Sequence, residues 1–428
     1  MLIIVGIVVA LGGLVATAFL AGRARYVSPP LTFLALYVIM IHVGALLAFR
    51  NNPVANRLFL TVSSVGIGAF VVGCLTIRIA GADLRGPIRN SRGMQRSLGP
   101  VVMWRLFAGI AIIGGLVYVG LGYRAAGTIP LFHSGHYAVW KASRHAFKQF
   151  AGYGYISELA NVLLPVVSIY FLLRDIQRRR WPRARVICLM LVVAFVLAAP
   201  GHRGPLLIYV FMIAIAVSYL RGGFSPYKYL LGGAVGVLLF AGFTLVSGAS
   251  RYNSESLVTN TAVRIFKEQA LGPRFVYQRF ASRRLMGASY LDDLDGVLPG
   301  RQQGFSAEIP ELRGKKSHNN PTGVTAEAFM NFGYIGVIVQ MWLWGVITYL
   351  LHVGLLKYTR RGDAGGVALF VGGAFAMSYG AIAGLVGVLF QFGVVLVILM
   401  YLIFSVAGLL GWRDTDGTGD RGHSGVAG

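Results

Sequence analysis

Charge is scarce in this chain of 428 residues: 13% are Asp, Glu, Lys or Arg, against 56% hydrophobic. That scarcity excludes a soluble globule, because several runs exceed the roughly 18 uncharged residues that mark a spanning helix. Cysteine is nearly absent. Cys74 and Cys188 each fall inside an apolar run, which excludes a thiolate metal framework and gives no redox compartment. No internal repeat is visible, and with it the inverted-repeat signature of secondary transporters is missing. Acidic residues number 15 against 39 Lys and Arg, a net charge of +24. No aromatic-basic recognition motif accompanies that charge, so nucleic acid is not an expected partner. The arginines cluster at the ends of apolar runs, where they mark cytoplasmic loops and favour contact with membrane lipids or with phosphates.

What is present reads as an all-α polytopic membrane helical bundle of about 11 transmembrane helices. The expected spans are 2–20, 31–49, 58–80, 101–122, 155–173, 186–199, 205–220, 229–247 and 326–350, with two more in the charge-free run 366–411. The first lacks a preceding basic region and a clear cleavage signature, so it reads as a retained span. Two basic loops, one with Arg85, Arg89, Arg92 and Arg96 and one with Arg174, Arg178, Arg179, Arg180, Arg183 and Arg185, agree in facing the cytoplasm. The amino terminus is then outside and the carboxyl terminus inside. Residues 1–412 form one transmembrane domain, and 413–428, rich in Gly, Asp, Thr and Ser, a disordered cytoplasmic tail.

The large outer loop, about 248–325, is far longer than any other connection, and loops of that length are usually functional or disordered. Helix-like spacing of apolar residues in 257–266 and 275–285 predicts short amphipathic helices on the membrane surface. Arg251, Arg264, Arg274, Arg279, Arg283 and Arg284 recur through it, on the side that the positive-inside trend leaves poor in charge. The loop ends in Ser317-His318-Asn319-Asn320-Pro321, followed by Glu327 and Asn331-Phe332-Gly333-Tyr334-Ile335-Gly336 at the start of an apolar helix. Glu327 reads as a cap of that helix start or as a catalytic carboxylate. Gly333 and Gly336 read as permitting close helix packing.

Three other features carry possible chemistry. Arg203 stands in the turn Pro200-Gly201-His202-Arg203-Gly204 between two short spans, where its rigid guanidinium fork suits a phosphate as well as a lipid headgroup. His133, His136 and His145 invite a metal reading, but their loop offers no Cys and no carboxylate until Glu158, and a basic amphipathic helix is the preferred reading. Asp292-Asp293-Leu294-Asp295 resembles an acidic cation site only superficially, and an Asp-Gly turn is the ordinary reading. His42, nearly alone at mid-span, reads as a packed histidine.

The Gly127-Thr128-Ile129-Pro130-Leu131 element after the fourth span, the Gly201-His202-Arg203-Gly204 turn, the large outer loop and the ending His318-Asn319, Glu327, Phe332-Gly333-Tyr334-Ile335-Gly336 together resemble the O-antigen polymerase (Wzy-type oligosaccharide repeat-unit polymerase) family. The O-antigen ligases share a similar His-Asn element before a Gly-x-x-Gly helix. The resemblance implies a membrane glycosyltransferase that joins polyprenyl-diphosphate-linked oligosaccharide repeat units outside a bacterial cytoplasmic membrane, without a metal or other cofactor. It implies His318 or Glu327 as the base, and Arg203, Arg251, Arg274 and Arg279 as candidates for the diphosphate. A flippase and a chain-length regulator are the expected protein partners. A ligase, or a flippase or transporter of lipid-linked sugars, is the alternative.

Overall fold

The computed structural model describes residues 1–22, 28–81, 98–133, 137–148, 150, 152–178, 182–201, 203–221, 269–295, 322–391 and 393–409. Their regular elements are all helical. In chain order they form α1 (Leu2–Ala21), α2 (Pro29–Tyr37), α3 (Val43–Asn51), α4 (Pro53–Ile79), α5 (Val101–Ala126), α6 (Tyr137–Phe147), α7 (Tyr153–Glu158), α8 (Leu164–Arg178), α9 (Ala184–Ala198) and α10 (Arg203–Arg221). There follow α11 (Gln269–Arg279), α12 (Ala288–Asp295), α13 (Gly323–Arg360), α14 (Ala364–Ser378) and α15 (Val394–Leu409). Single π-helical turns join α2 to α3 (Val38–His42) and α7 to α8 (Leu159–Leu163), the second just before Pro165, which has no N–H to continue the ladder.

Among the described residues eight helices are long and apolar enough to cross a membrane: Leu2–Ala21, Pro29–Asn51, Pro53–Ile79, Val101–Ala126, Tyr153–Arg178, Gly204–Arg221, Gly323–Arg360 and Ala364–Ala381. Ala184–Ala198 and Val394–Leu409 are shorter apolar helices. The chain is therefore a polytopic helical membrane protein. The expected span 229–247, the expected helix 257–266 and the tail 413–428 lie outside the described residues.

Two cores divide the bundle. One centres on Trp104 of α5, stacked on Tyr170 of α8 with ring centroids 4.1 Å apart and on Phe404 of α15 at 4.6 Å. The other joins α1 to α4 with α11 and α13 around Phe33, Phe70 and Trp344. Between α4 and α13 the backbones touch, because a methyl on Gly73 would lie 2.1 Å from Trp342 O and one on Gly345 2.2 Å from Phe70 O. Only glycine allows that approach.

Polar contacts identify which helix ends lie together. Arg78 of α4 and Tyr349 of α13 both donate to Leu20 O, and His352 of α13 bonds Ala21 O through Nε2 and the Tyr219 hydroxyl of α10 through Nδ1. The ends of α1, α4, α10 and α13 thus share a basic end of the bundle with Lys357 and Arg360. Leu98 ahead of α5, Gln177 of α8 and Asp363 ahead of α14 meet there too. At the opposite, loop end, the Leu131 N–H donates to Ala199 O after α9, and Gln278 of α11 donates to Ala55 O at the start of α4. His42 is packed as expected, with Nε2 on Gly6 O and Nδ1 on Ser63 Oγ.

Asp363 caps α14 by accepting from the Gly366 N–H at 2.9 Å, and it also accepts from Leu98 N. Burial outweighs those two donors and pushes its carboxyl up to about 6. A carboxyl raised by folding binds its proton more tightly in the native state, so its stabilisation is full below its ordinary range and is lost as pH rises through about 6. Asp363→Asn keeps an acceptor for both N–H groups. Thermal unfolding in detergent should therefore show less loss of stability across that window for Asp363→Asn than for the wild type, and equal slopes would remove Asp363 as the cause.

Candidate functional site

The stretch flagged by the sequence at the start of α13 is built on an unexpected turn. Within α13, Gly333 has φ 65° and ψ −145°, a combination open to glycine alone, and it folds the helix back on itself. A methyl on Gly66 would touch both Thr325 Cγ2 (3.4 Å) and Met341 Cγ (3.5 Å), residues about 24 Å apart along a straight helix. Gly323 lies against Ala381 O while Trp344 lies against Gly380, so positions on either side of Gly333 flank the same two residues. A methyl on Gly336 would fall 2.4 Å from Ala328 O. Residues 323–332 are thus a short re-entrant limb whose start lies inside the bundle, and 334–360 are the long limb. Gly333 makes a fold-back rather than a contact between separate helices, which corrects the packing role expected of it.

The fold-back leaves carbonyls at the end of the short limb for the loop after α11. Met330 O accepts from Leu285 N at 3.1 Å and Asn331 O from Met286 N at 3.2 Å. Asn331, fully buried, completes the joint: its Nδ2 donates to Ser289 Oγ at 2.6 Å and to Glu327 O at 2.9 Å, and its Oδ1 accepts from Gly287 N at 3.0 Å. This fixes α12 over the limb. Asp292, Asp293 and Asp295 lie on this helix, and the glycine of the expected Asp-Gly turn, Gly296, lies outside the described residues.

Glu327 projects from this limb and is 2% exposed. It does not cap its own helix, whose N-cap, Thr322, makes no side-chain cap bond. Its Oε2 instead accepts from Leu385 N at 2.5 Å, where helix resumes after a break that follows α14. The run expected as two plain helices contains that break: a 3-10 turn Tyr379–Ala381, non-helical residues 382–384, a π-helical turn Gly387–Gln391, and then α15. Broken backbone at membrane depth needs protein partners for its polar groups, and Glu327 supplies one. Gly384 leaves it room, since a methyl there would sit 2.9 Å from Oε2. The other oxygen, Oε1, is buried with no hydrogen-bond partner among the described residues. Helix α12, which carries Tyr290 and Asp293, packs against the limb that bears this carboxyl. Burial first, then Glu327, pushes the Tyr290 phenol above its usual range.

On the limb's other face, the hydroxyls of Tyr37 (α2) and Tyr277 (α11) both approach that of Thr325, yet none of the three reaches hydrogen-bonding geometry. The Tyr277 ring meets Phe59 and Phe329 at 5.5 and 5.1 Å. Unpaired buried polar atoms are rare in folded proteins, so their concentration around 323–332 marks the region as one built for more than packing.

The other expected site residues are placed as follows. Arg203 opens α10 at the loop end, the end that also holds α11, α12 and the fold-back. Arg274 and Arg279 lie on α11; Arg274 is half-buried with Nε unpaired, and Arg279 is exposed. His318 and Arg251 lie outside the described residues, as do His136 and His202. Helix α11 packs on α4 and α13 rather than lying free on the membrane surface, with Ala270, Val276 and Tyr277 buried. α6 runs along α5, and burial, with Arg144 nearby, lowers Lys148 to about 8. Among the described residues no three His, Cys, Asp or Glu side chains gather as a metal site.

Tyr37, Tyr277, Thr325, Ser289 and Asn331 were not singled out from the sequence. Asn331 stood within the flagged stretch, whereas Tyr37 sits in a plain apolar span and gives no signal there. No family model, curated protein or solved structure matches the chain.

Proposed function

We propose that the chain is a membrane glycosyltransferase that polymerises polyprenyl-diphosphate-linked oligosaccharide repeat units on the outer face of a bacterial cytoplasmic membrane. The observation that carries the reading is the re-entrant limb. It draws the segment directly after His318-Asn319-Asn320-Pro321 into the bundle, and it leaves a carboxylate oxygen, Glu327 Oε1, without a partner at the end that holds Arg203 and the arginines of α11. With the two basic loops inside, that end faces outward.

In this reading an acceptor hydroxyl attacks the anomeric carbon of the donor sugar. The new C–O bond forms as the bond to the diphosphate oxygen breaks, the proton passes to His318 or to Glu327 Oε1, and the anomeric centre inverts. Charge develops on the departing polyprenyl diphosphate, where Arg203, Arg251, Arg274 and Arg279 are the cations available to stabilise it. Because Oε2 is held by Leu385 N, only Oε1 of Glu327 is free for that proton.

A second reading, a transporter of lipid-linked sugars, is favoured by the two interrupted helices at 333 and 382–384, since discontinuous helices frame many transport sites. Purified protein incubated with lipid-linked repeat units and no energy source separates the readings. A ladder of longer glycans supports the polymerase. Unchanged substrate that moves across vesicles supports the transporter, and transfer only onto a lipid A core acceptor supports a ligase. Arg203→Lys keeps the charge but loses the bidentate fork, so the ladder should shorten sharply at unchanged expression. Near-normal activity would reduce Arg203 to a lipid anchor.

A further inference from the structure

Arg284, in the loop between α11 and α12, is half-buried and held in an unusual seat. Its guanidinium lies over the Phe329 ring, Cζ 4.4 Å from the centroid, and against Gly333, where a methyl would fall 3.0 Å from Nε. The stack fixes the plane of the fork, and the missing Cβ at the fold-back makes room for it. Its Nη1 is buried with no hydrogen-bond partner among the described residues. A cationic donor left unpaired at a protein edge is costly unless an anion completes it. A second guanidinium, Arg57, stands on the exposed start of α4, where Gln278 of α11, the helix that leads into the Arg284 loop, donates to Ala55 O two residues before it.

The position of this pair relative to the bilayer follows from the long limb of α13. Ile335, Ile338, Val339, Leu343, Ile347 and Leu350 are exposed at three- and four-residue spacing, a continuous apolar stripe facing lipid. The stripe begins beside Tyr334 and Arg284 and ends short of exposed Lys357. At 1.5 Å per residue, 335–357 spans about 33 Å, close to the roughly 30 Å of a hydrocarbon core. Arg284 and Arg57 therefore sit where one headgroup layer lies, at the top of a lipid-facing surface.

The geometry points to a phospholipid site: Arg284, oriented by Phe329 and Gly333, binds the phosphate of an outer-leaflet phospholipid together with Arg57, and Tyr334 borders the headgroup. Phosphate matches the guanidinium fork in charge and shape. The acyl chains would lie along the Ile335 stripe. This site stands apart from the arginines assigned to the diphosphate and does not depend on the polymerase reading.

Native mass spectrometry of the delipidated full chain in detergent, titrated with phosphatidylglycerol, tests the assignment. Wild type should take up one tightly held phosphatidylglycerol, and Arg284→Gln should weaken that adduct about tenfold, the loss of one charge-assisted bond. Arg57→Gln, at an exposed residue and so neutral to folding, should weaken it several-fold; this variant carries the test alone if Arg284→Gln does not fold. Unchanged binding in Arg57→Gln would overturn the site. Displacement of the lipid by equimolar inorganic phosphate would overturn it in favour of free phosphate, and displacement by equimolar undecaprenyl phosphate would reassign it to the reaction's lipid carrier.

Discussion

Gly345→Ala and Gly73→Ala should each destabilise the protein by about 1–3 kcal/mol, and Gly345→Leu should prevent assembly of the α4 and α13 half of the bundle. The cause is backbone contact: the added methyl at Gly345 meets Phe70 O at 2.2 Å and that at Gly73 meets Trp342 O at 2.1 Å, and neither carbonyl can rotate away without breaking its own helix. The two helices must move apart, and the hold of Cys74 Sγ on Gly345 O and of Trp342 on Thr76 Oγ1 goes with them. Gly68→Ala on the same helix α4 is the control, because nothing lies within 4 Å of its added methyl. It should be neutral or gain up to about 1 kcal/mol of helix propensity. Thermal unfolding in detergent, with membrane yield beside it, measures all of these. A Gly345→Ala protein as stable as Gly68→Ala would show that the helices do not meet there.

Glu327 carries the second large effect, and two substitutions divide its roles. Glu327→Gln retains an oxygen to accept from Leu385 N but cannot take a proton as a base, so polymerisation should fall roughly 10²–10⁴-fold with stability little changed. Glu327→Ala also orphans the Leu385 N–H at the break after α14, and should lose about 1–3 kcal/mol in addition. His318→Ala shows which group is the base. If Glu327→Gln stays active and His318→Ala does not, Glu327 is a brace for the broken helix and the histidine takes the proton.

Much of the scaffold was legible because a spanning helix writes its length in uncharged residues, and the apolar runs 2–20, 58–80 and 101–122 lie within α1, α4 with its C-cap Ala80, and α5. The packed reading of His42 was also legible, since a histidine among apolar neighbours needs two nearby polar atoms and finds them in Gly6 O and Ser63 Oγ. Interruptions were not legible. The fold-back rests on one torsion at Gly333, and glycine is common in membrane helices without breaking them. Residues 323–332 carry a single charge, Glu327, and run without a polar break into the apolar residues that follow, so hydropathy reads the whole as one span. The break at 382–384 likewise carries no charge to mark it. Glu327 was picked out because a carboxylate beside an apolar run is conspicuous, but its partner, a backbone N–H 58 residues onward, has no sequence signature. Histidine 352 shows the same limit: buried between Tyr219 and Ala21 O, it depends on neighbours over a hundred residues away.

Everything proposed for the outer end depends on the fold-back at Gly333, and one pair of positions reports it directly. Cysteines placed at Thr325 and Met341, with Cys74 and Cys188 replaced by alanine, would both lie against Gly66. Mild oxidation or a single mercuric ion should join them within one chain, read as a linked peptide pair after proteolysis. A straight helix would hold the two thiols about 24 Å apart. Failure of that link in a folded, membrane-inserted protein would mean that α13 runs straight and that Glu327 does not enter the bundle.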